Sequence, residues 1–206
     1  MALVGANGQG KTTLLRAIAR LTPATHGRIL LDGEDGAHDE AALRRRLGYL
    51  FADTSAQLIM PTVREDVELS LRQRGLGKRE RRAAAEALLN DAGLDHLIDR
   101  SVFELSGGER QRIALLGVLA VHPSVLLADE PTAALDLVHR QGVSSMLLGA
   151  DATLIVATHD LHLAQECERA LWIHGGEVVA DGDPADVVRS YIDAAEARTP
   201  WPEAAP

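Results

Sequence analysis

A glycine-rich segment near the start of the chain has the composition of a phosphate-binding loop. Residues 5–13, GANGQGKTT, fit the pattern G-x-x-x-x-G-K-[ST]. Glycines let backbone N–H groups converge on phosphate oxygens, and the helix that follows directs its positive end at the same anion. Lys11 would contact the β- and γ-phosphates, and the Thr12 hydroxyl would bind Mg²⁺. The segment therefore predicts binding of a nucleoside triphosphate.

A second segment supplies carboxylates for the same chemistry. The apolar run SVLLAD, residues 124–129, is typical of a strand buried on both faces. It ends at Asp129, which can hold Mg²⁺. Glu130 follows directly, where a carboxylate could orient and deprotonate an attacking water. Many nucleotide hydrolases contain both segments, so the pair predicts a reaction type and not yet a biological role.

A third segment, LSGGERQ at residues 105–111, predicts a second anion site on the same chain. Ser106 precedes two glycines, Gly107 and Gly108, at the start of a helix. One chain cannot easily bring both anion sites onto one phosphate. The economical solution is two chains arranged head to tail, each of which offers its Ser106 loop to the nucleotide of the other.

The three segments occur in the order and spacing of the nucleotide-binding subunit of an ABC transporter, which the chain resembles over roughly residues 3–190. Three shorter matches extend the resemblance: Gln57 in SAQLIMPTV, AALD at residues 133–136, and His159 in VATHD. The resemblance implies an ATP hydrolase that uses ATP and Mg²⁺ and works as a head-to-tail pair, either homodimer or heterodimer.

The resemblance also implies a role for individual residues. Glu130, His159 and Gln57 would be catalytic. Thr12, Gln57 and Asp129 would hold the metal ion. The nucleotide would be bound by residues of the three segments, namely Asn7, Gly8, Gln9, Gly10, Lys11, Thr12, Thr13, Ser106, Gly107, Gly108 and Asp136.

Residues 56–76, AQLIMPTVREDVELSLRQRGL, resemble the energy-coupling-factor branch of that family. ATPases of this branch drive uptake of vitamins or of cobalt and nickel. The resemblance therefore implies membrane import of a metal ion or vitamin, with a membrane scaffold subunit and a separate substrate-capture subunit as partners. The chain would lie at the cytoplasmic face of the membrane and be attached through these partners.

Alternation of strand and helix patterns predicts an α/β fold, a P-loop NTPase core with a parallel sheet. A helical subdomain, roughly residues 60–120, is inserted in this core. We expect the ATPase domain to cover residues 1–192, and we expect the Pro-rich tail, residues 193–206, to be disordered.

The chain departs from the family pattern at its start. Family members begin with a small antiparallel β region that carries an aromatic residue for stacking on adenine, and here only residues 1–4 precede the loop. This region is thus largely missing, which predicts an uncovered edge of the core and weak discrimination between ATP and GTP. Two explanations are open, a minimal variant and a start placed too late, and the second is favoured.

Composition narrows the alternatives. A net charge of −9 and an aromatic content of 3% argue against nucleic acid as a partner. A soluble ABC ATPase of DNA repair or translation is disfavoured because long coiled-coil insertions and zinc modules are not seen. A truncated nucleotide-binding fragment with little activity stays open as an alternative.

Other residue types that could support special sites are few. A metal site at His159 and His162 lacks an evident third ligand, and a single cysteine, Cys167, excludes an internal disulfide.

Overall fold

A six-stranded sheet forms the centre of the fold in the computed structural model, which describes residues 1–35, 43 and 45–198. Its strand order is β4-β5-β6-β1-β7-β8, and β2 and β3 form a separate antiparallel pair. The strands are β1 Ala2–Val4, β2 Leu30–Leu31, β3 Glu34–Asp35, β4 Leu47–Leu50, β5 Val125–Asp129, β6 Thr153–Ala157, β7 Ala170–His174 and β8 Glu177–Gly182.

Helices cover both faces of the sheet and form a lobe at one side. In the described residues they are α1 Lys11–Ile18, α2 Val63–Ser70, α3 Lys78–Asp91, α4 Gly107–Leu119, α5 Leu137–Leu148, α6 Leu161–Gln165 and α7 Pro184–Arg198. None of these helices is long and apolar enough to cross a bilayer.

Five neighbouring strands of the sheet run parallel, and only β8 runs antiparallel to its neighbour β7. This confirms the predicted α/β core with a parallel sheet. All five residues of β5 are buried, as the continuous apolar run predicts. Because the strands are parallel, the carboxyl ends of β1, β5 and β6 meet at one edge, where ligands bind in such sheets.

The first strand lies in the interior of the sheet and is not one of its edge strands. β1 pairs with β6 on one side and with β7 on the other. The amino group of Met1 donates a hydrogen bond to the carbonyl oxygen of Leu154 at 2.7 Å. Ala2, Leu3 and Val4 are fully buried. The glycine-rich loop therefore follows a strand that is fixed on both sides, by β6 and by β7.

The helical lobe consists of α2, α3 and the first half of α4. Thr62 caps the start of α2 and Ser106 caps the start of α4, and in both cases a glutamate three residues later completes a capping box. The apolar side chains of α2 and α3 share a buried cluster with those of α4. The second half of α4 packs against β4, so this helix connects the lobe to the sheet.

The last helix extends beyond the predicted end of the ATPase domain at residue 192. Helix α7 continues to Arg198, so residues 193–198 are helical and the predicted disorder from residue 193 is wrong for them. Alanines in this segment are strong helix formers. The ring of Tyr191 also packs edge-on against the ring of Trp172, with 5.8 Å between the ring centroids. Residues 199–206 lie outside the described residues.

Candidate functional site

The glycine-rich loop turns sharply at the end of β1 because two of its glycines allow it. Gly5 lies so close to β7 that a Cβ at this position would collide with the carbonyl oxygen of Ile173. Gly10 has φ 101° and directly precedes α1, a conformation that favours glycine. The loop therefore brings the first N–H groups of α1 to the carboxyl edge of the sheet.

Lys11 places its ammonium group inside this loop. Nζ donates to the carbonyl oxygens of Gly5 at 2.7 Å and Ala6 at 3.2 Å, and it lies 3.6 Å from Oε1 of Glu130. The side chain is only 6% exposed. A cation at a helix start suits an anionic ligand, and the binding of phosphate by Lys11 stays a prediction of the loop pattern.

Thr12 and Asp129 meet beside the lysine. The Thr12 hydroxyl donates to Oδ1 of Asp129 at 2.9 Å, which joins the start of α1 to the end of β5. Burial raises the pKa of Asp129, and the hydrogen bond from Thr12 acts in the opposite direction. Two hard oxygen ligands side by side suit Mg²⁺, which usually binds through one or two carboxylates and phosphate oxygens. The residues present therefore fit a magnesium ion that a triphosphate would help to hold.

His, Cys, Asp and Glu are the four residue types that most often bind metal ions in proteins. Within the part of the chain that the structure describes, there is no group of three His, Cys, Asp or Glu side chains that could hold a metal ion.

Glu130 and His159 form the far side of the site. Oε2 of Glu130 lies 2.7 Å from Nδ1 of His159 and accepts a hydrogen bond from the His159 backbone N–H at 3.2 Å. Glu130 has φ 48°, an uncommon conformation for a residue with a side chain. Its own N–H donates to the Ala157 carbonyl oxygen at 2.8 Å, which fixes it to the end of β6. The carboxylate is thus held between Lys11 and His159.

Gln57 lies one strand away from these residues. Its Nε2 donates to the Tyr49 carbonyl oxygen at 3.3 Å, and its Oε1 accepts from the Phe51 N–H at 3.2 Å. The side chain therefore closes the end of β4 and makes no hydrogen bond to Thr12 or Asp129. The turn before it is fixed to α4, because Thr54 Oγ1 donates to Gln111 Oε1 at 3.1 Å.

The Ser106 loop lies on the helical lobe and is apart from Lys11. Ser106 Oγ accepts from the Glu109 N–H at 3.2 Å, and the Ser106 N–H donates to Glu109 Oε2 at 2.8 Å. No hydrogen bond or ion pair joins residues 106–108 to residues 5–13, both of which the structure describes. The two predicted anion sites are therefore separate from each other within one chain.

Asp136 caps α5 and also binds a residue that the sequence patterns did not indicate. Its Oδ1 accepts from the His139 N–H at 2.9 Å, and its Oδ2 lies 2.8 Å from His139 Nδ1. An aspartate three residues before a histidine at a helix start was the only signal for this pair. Of the remaining predicted residues, Asn7, Gly8 and Thr13 are exposed, whereas Gln9 Oε1 accepts from the Gly175 N–H at 2.5 Å.

Comparison of the sequence with known proteins identifies a family and several relatives. The family model described as ABC transporter matches residues 1–133. The biotin transport ATP-binding protein BioM of Rhizobium etli is 42% identical over 193 residues, which are 94% of this chain and 86% of that protein. The energy-coupling factor transporter ATP-binding protein EcfA1 of Halalkalibacterium halodurans is 36% identical, and the match covers 91% of this chain and 69% of that protein.

Solved structures agree with these relatives. CbiO1 of Clostridium perfringens, described as part of the ABC transporter complex CbiONQ, superposes with a TM-score of 0.80 at 31% identity. That match covers 97% of this chain and 83% of the other. The dimeric structure of the ATP-binding cassette MJ0796 with ADP and Pi has a TM-score of 0.78 at 31% identity and covers 89% of this chain and 84% of the other.

Proposed function

The chain belongs to the ABC transporter ATP-binding family, and from this premise we propose that it is the motor subunit that powers membrane import of a small solute through partner membrane subunits. It is an ATP hydrolase of the ABC type. The single observation that carries the proposal is the meeting of Lys11, Thr12, Asp129, Glu130 and His159 at one edge of the sheet.

Each of these groups has a task that its position supports. Lys11 gives up its contacts with the loop carbonyls and binds the β- and γ-phosphates of ATP. Thr12 and Asp129 would hold Mg²⁺, which would supply positive charge beside the phosphates. Glu130 takes the proton of the attacking water, and His159 holds the carboxylate and contacts the γ-phosphate.

The remaining nucleotide contacts come from both anion sites. Gln57 reaches the metal or the attacking water only after its side chain leaves β4. The Ser106 loop and Asp136 act on the ATP of a second subunit placed head to tail. The proposed nucleotide ligands are Asn7, Gly8, Gln9, Gly10, Lys11, Thr12, Thr13, Ser106, Gly107, Gly108 and Asp136.

A groove beside Gln57 suits a membrane partner. A cavity of about 480 Å³ opens between β4, α2 and α4, and its walls include Tyr49, Gln57, Leu69, Arg72 and Val118. A partner segment in this groove would contact Gln57, the sheet and the helical lobe at once. We place the scaffold subunit here and therefore place the chain at the cytoplasmic face of the membrane.

The name of one relative supports a vitamin as the solute. BioM is named for biotin transport, and CbiO1 belongs to a complex of the same transporter family. We propose a vitamin or a metal ion as the imported solute, captured by a separate membrane subunit.

Uptake into vesicles tests this function. The chain is purified with the membrane proteins encoded beside it and reconstituted, and ATP-dependent uptake of labelled biotin and of Co²⁺ is measured. We expect uptake of one of them, and we expect Lys11→Ala to abolish it. Turnover without uptake of either would contradict the solute class, and a complex without any ATP turnover would favour the inactive-fragment alternative.

A further inference from the structure

The start of α5 packs directly against the start of α4. A Cβ at Gly108 would lie 2.7 Å from the Cβ of His139 and would collide with its Cγ and Cδ2. The imidazole and the stem of His139 thus occupy the space that any side chain at position 108 would need. Gly108 is buried, whereas Gly107 beside it has open space.

The orientation of the His139 ring is set by Asp136. Nδ1 lies 2.8 Å from Asp136 Oδ2, and the backbone N–H of the same histidine donates to Oδ1. Hydrogen bonds from the His139 backbone and ring lower the pKa of Asp136. The carboxylate is therefore ionised near neutral pH, and Nδ1 is the donor of the pair.

Asp136 is itself held by a stiff turn that begins at Glu130. The Ala133 N–H donates to the Glu130 carbonyl oxygen at 3.2 Å, Thr132 is only 4% exposed, and Ala134 has φ 59°. A positive φ at a residue with a side chain persists only where the surrounding structure holds it. The turn thus holds the backbone of Asp136 at the start of α5.

We propose that His139 is a positioning residue that fixes the Ser106 loop relative to Asp136. This rests on the proposed function, in which both segments act on the ATP bound by a second subunit. His139 touches no nucleotide in this arrangement. Its ring sets the spacing between the two segments, so that both reach the partner's nucleotide together.

The proposal separates two properties that most site variants would change together. Binding of ATP by a single chain depends on Lys11 and its loop, which His139 does not contact. Formation of the two-chain complex depends on the Ser106 loop. Loss of the ring should therefore weaken association and leave the ATP affinity of the single chain unchanged.

Hydrogen exchange of the nucleotide-free protein tests the contact itself. The amides of Ser106, Glu109 and Arg110 are hydrogen-bonded at the start of α4. His139→Ala should speed their exchange, and His139→Phe should restore part of the protection because a flat ring again lies on Gly108. His162→Ala is the control, since this histidine also starts a helix but is 84% exposed. Unchanged exchange in His139→Ala would overturn the positioning role.

Association with MgATP tests the consequence. In a Glu130→Gln background that retains ATP, light scattering gives the protein concentration at which half of the chains are dimeric. We expect this concentration to rise about tenfold for His139→Ala, which corresponds to about 1.4 kcal/mol. For His139→Phe we expect this concentration to stay within about threefold of the parent value. For the control His162→Ala we expect the same concentration as for the parent.

The outcomes separate the two proposals. If the parent and His139→Ala dimerise at the same protein concentration, the positioning role is overturned and the proposed function stands. A parent that never dimerises with MgATP would overturn the two-chain function, and the positioning role with it.

Discussion

His159 binds Glu130 through two contacts to one oxygen, the Nδ1 atom at 2.7 Å and the backbone N–H at 3.2 Å. His159 is 58% exposed, whereas Glu130 is 17% exposed. The histidine therefore holds the carboxylate from the solvent side. The other oxygen of Glu130 lies 3.6 Å from Lys11, so the carboxylate stands between the phosphate loop and the histidine.

Glu130→Gln should abolish ATP turnover and keep ATP binding. Glutamine retains the shape and can still accept the His159 N–H, but it loses the carboxylate that takes the proton from water. Turnover is measured by phosphate release and binding by calorimetry. A variant that hydrolyses ATP at nearly the wild-type rate would show that Glu130 is not the base.

Lys11→Ala should weaken ATP binding by at least about tenfold, because it removes a buried charge directed at the phosphates. Lys78→Ala is the matched control, since it removes the same charge from an exposed helix start. Calorimetry of both variants checks this. Equal ATP affinities would exclude the role given to Lys11.

Two substitutions at Asp66 should separate the effect of losing its charge from the effect of losing its hydrogen-bond acceptor. Its Oδ1 accepts from the N–H groups of Ile59 at 2.9 Å and Met60 at 3.0 Å. Asp66→Ala leaves these donors without a partner at a cost of about 1–3 kcal/mol each, whereas Asp66→Asn keeps an acceptor. Chemical unfolding at neutral pH should rank the alanine variant lowest.

The pH dependence of the Asp66→Asn comparison has a definite sign. Burial raises the pKa of Asp66 above its ordinary value of 3.8. The ionised form is thus penalised in the folded state, so the wild type gains stability as the pH falls through this raised pKa. Any advantage of Asp66→Asn over the wild type should shrink over the same range, and an advantage that grows on acidification would contradict this.

Glu109 should show the opposite dependence. Hydrogen bonds from the backbone N–H and hydroxyl of Ser106 lower the pKa of Glu109 below its ordinary value of 4.5. Its contribution to stability is therefore present above pH 4.5 and lost as the pH falls through the lowered value. Unfolding of Glu109→Gln and wild type should differ most near neutral pH. A constant difference down to pH 3 would be inconsistent with this assignment.

Local patterns predicted the parts of the site that lie on one segment each. Lys11 and Thr12 follow from the loop pattern, and Asp129 and Glu130 follow from the end of an apolar strand. The structure brings these residues together because parallel strands end at one edge. Their roles in binding and catalysis stay predictions.

Contacts between distant segments could not be predicted in this way. The bond of Gln57 to β4, the bond of Gln9 to Gly175 and the packing of His139 on Gly108 depend on how separate elements approach each other. The interior position of β1 likewise follows from its pairing with β6 and β7, which lie more than 150 residues away. The spacing of apolar residues within one segment does not indicate which distant segment it will pair with.

ATP turnover of a mixture of two inactive variants tests the central claim, that each ATP is bound by Lys11 of one chain and Ser106 of another. Lys11→Ala and Ser106→Arg should each be inactive alone. In a mixed pair both defects fall on one site and the second site is intact. Random pairing makes half of the dimers mixed, so the mixture should regain up to about one quarter of the wild-type rate. A mixture as inactive as its components, or a Ser106→Arg protein with wild-type turnover, would contradict the two-chain site.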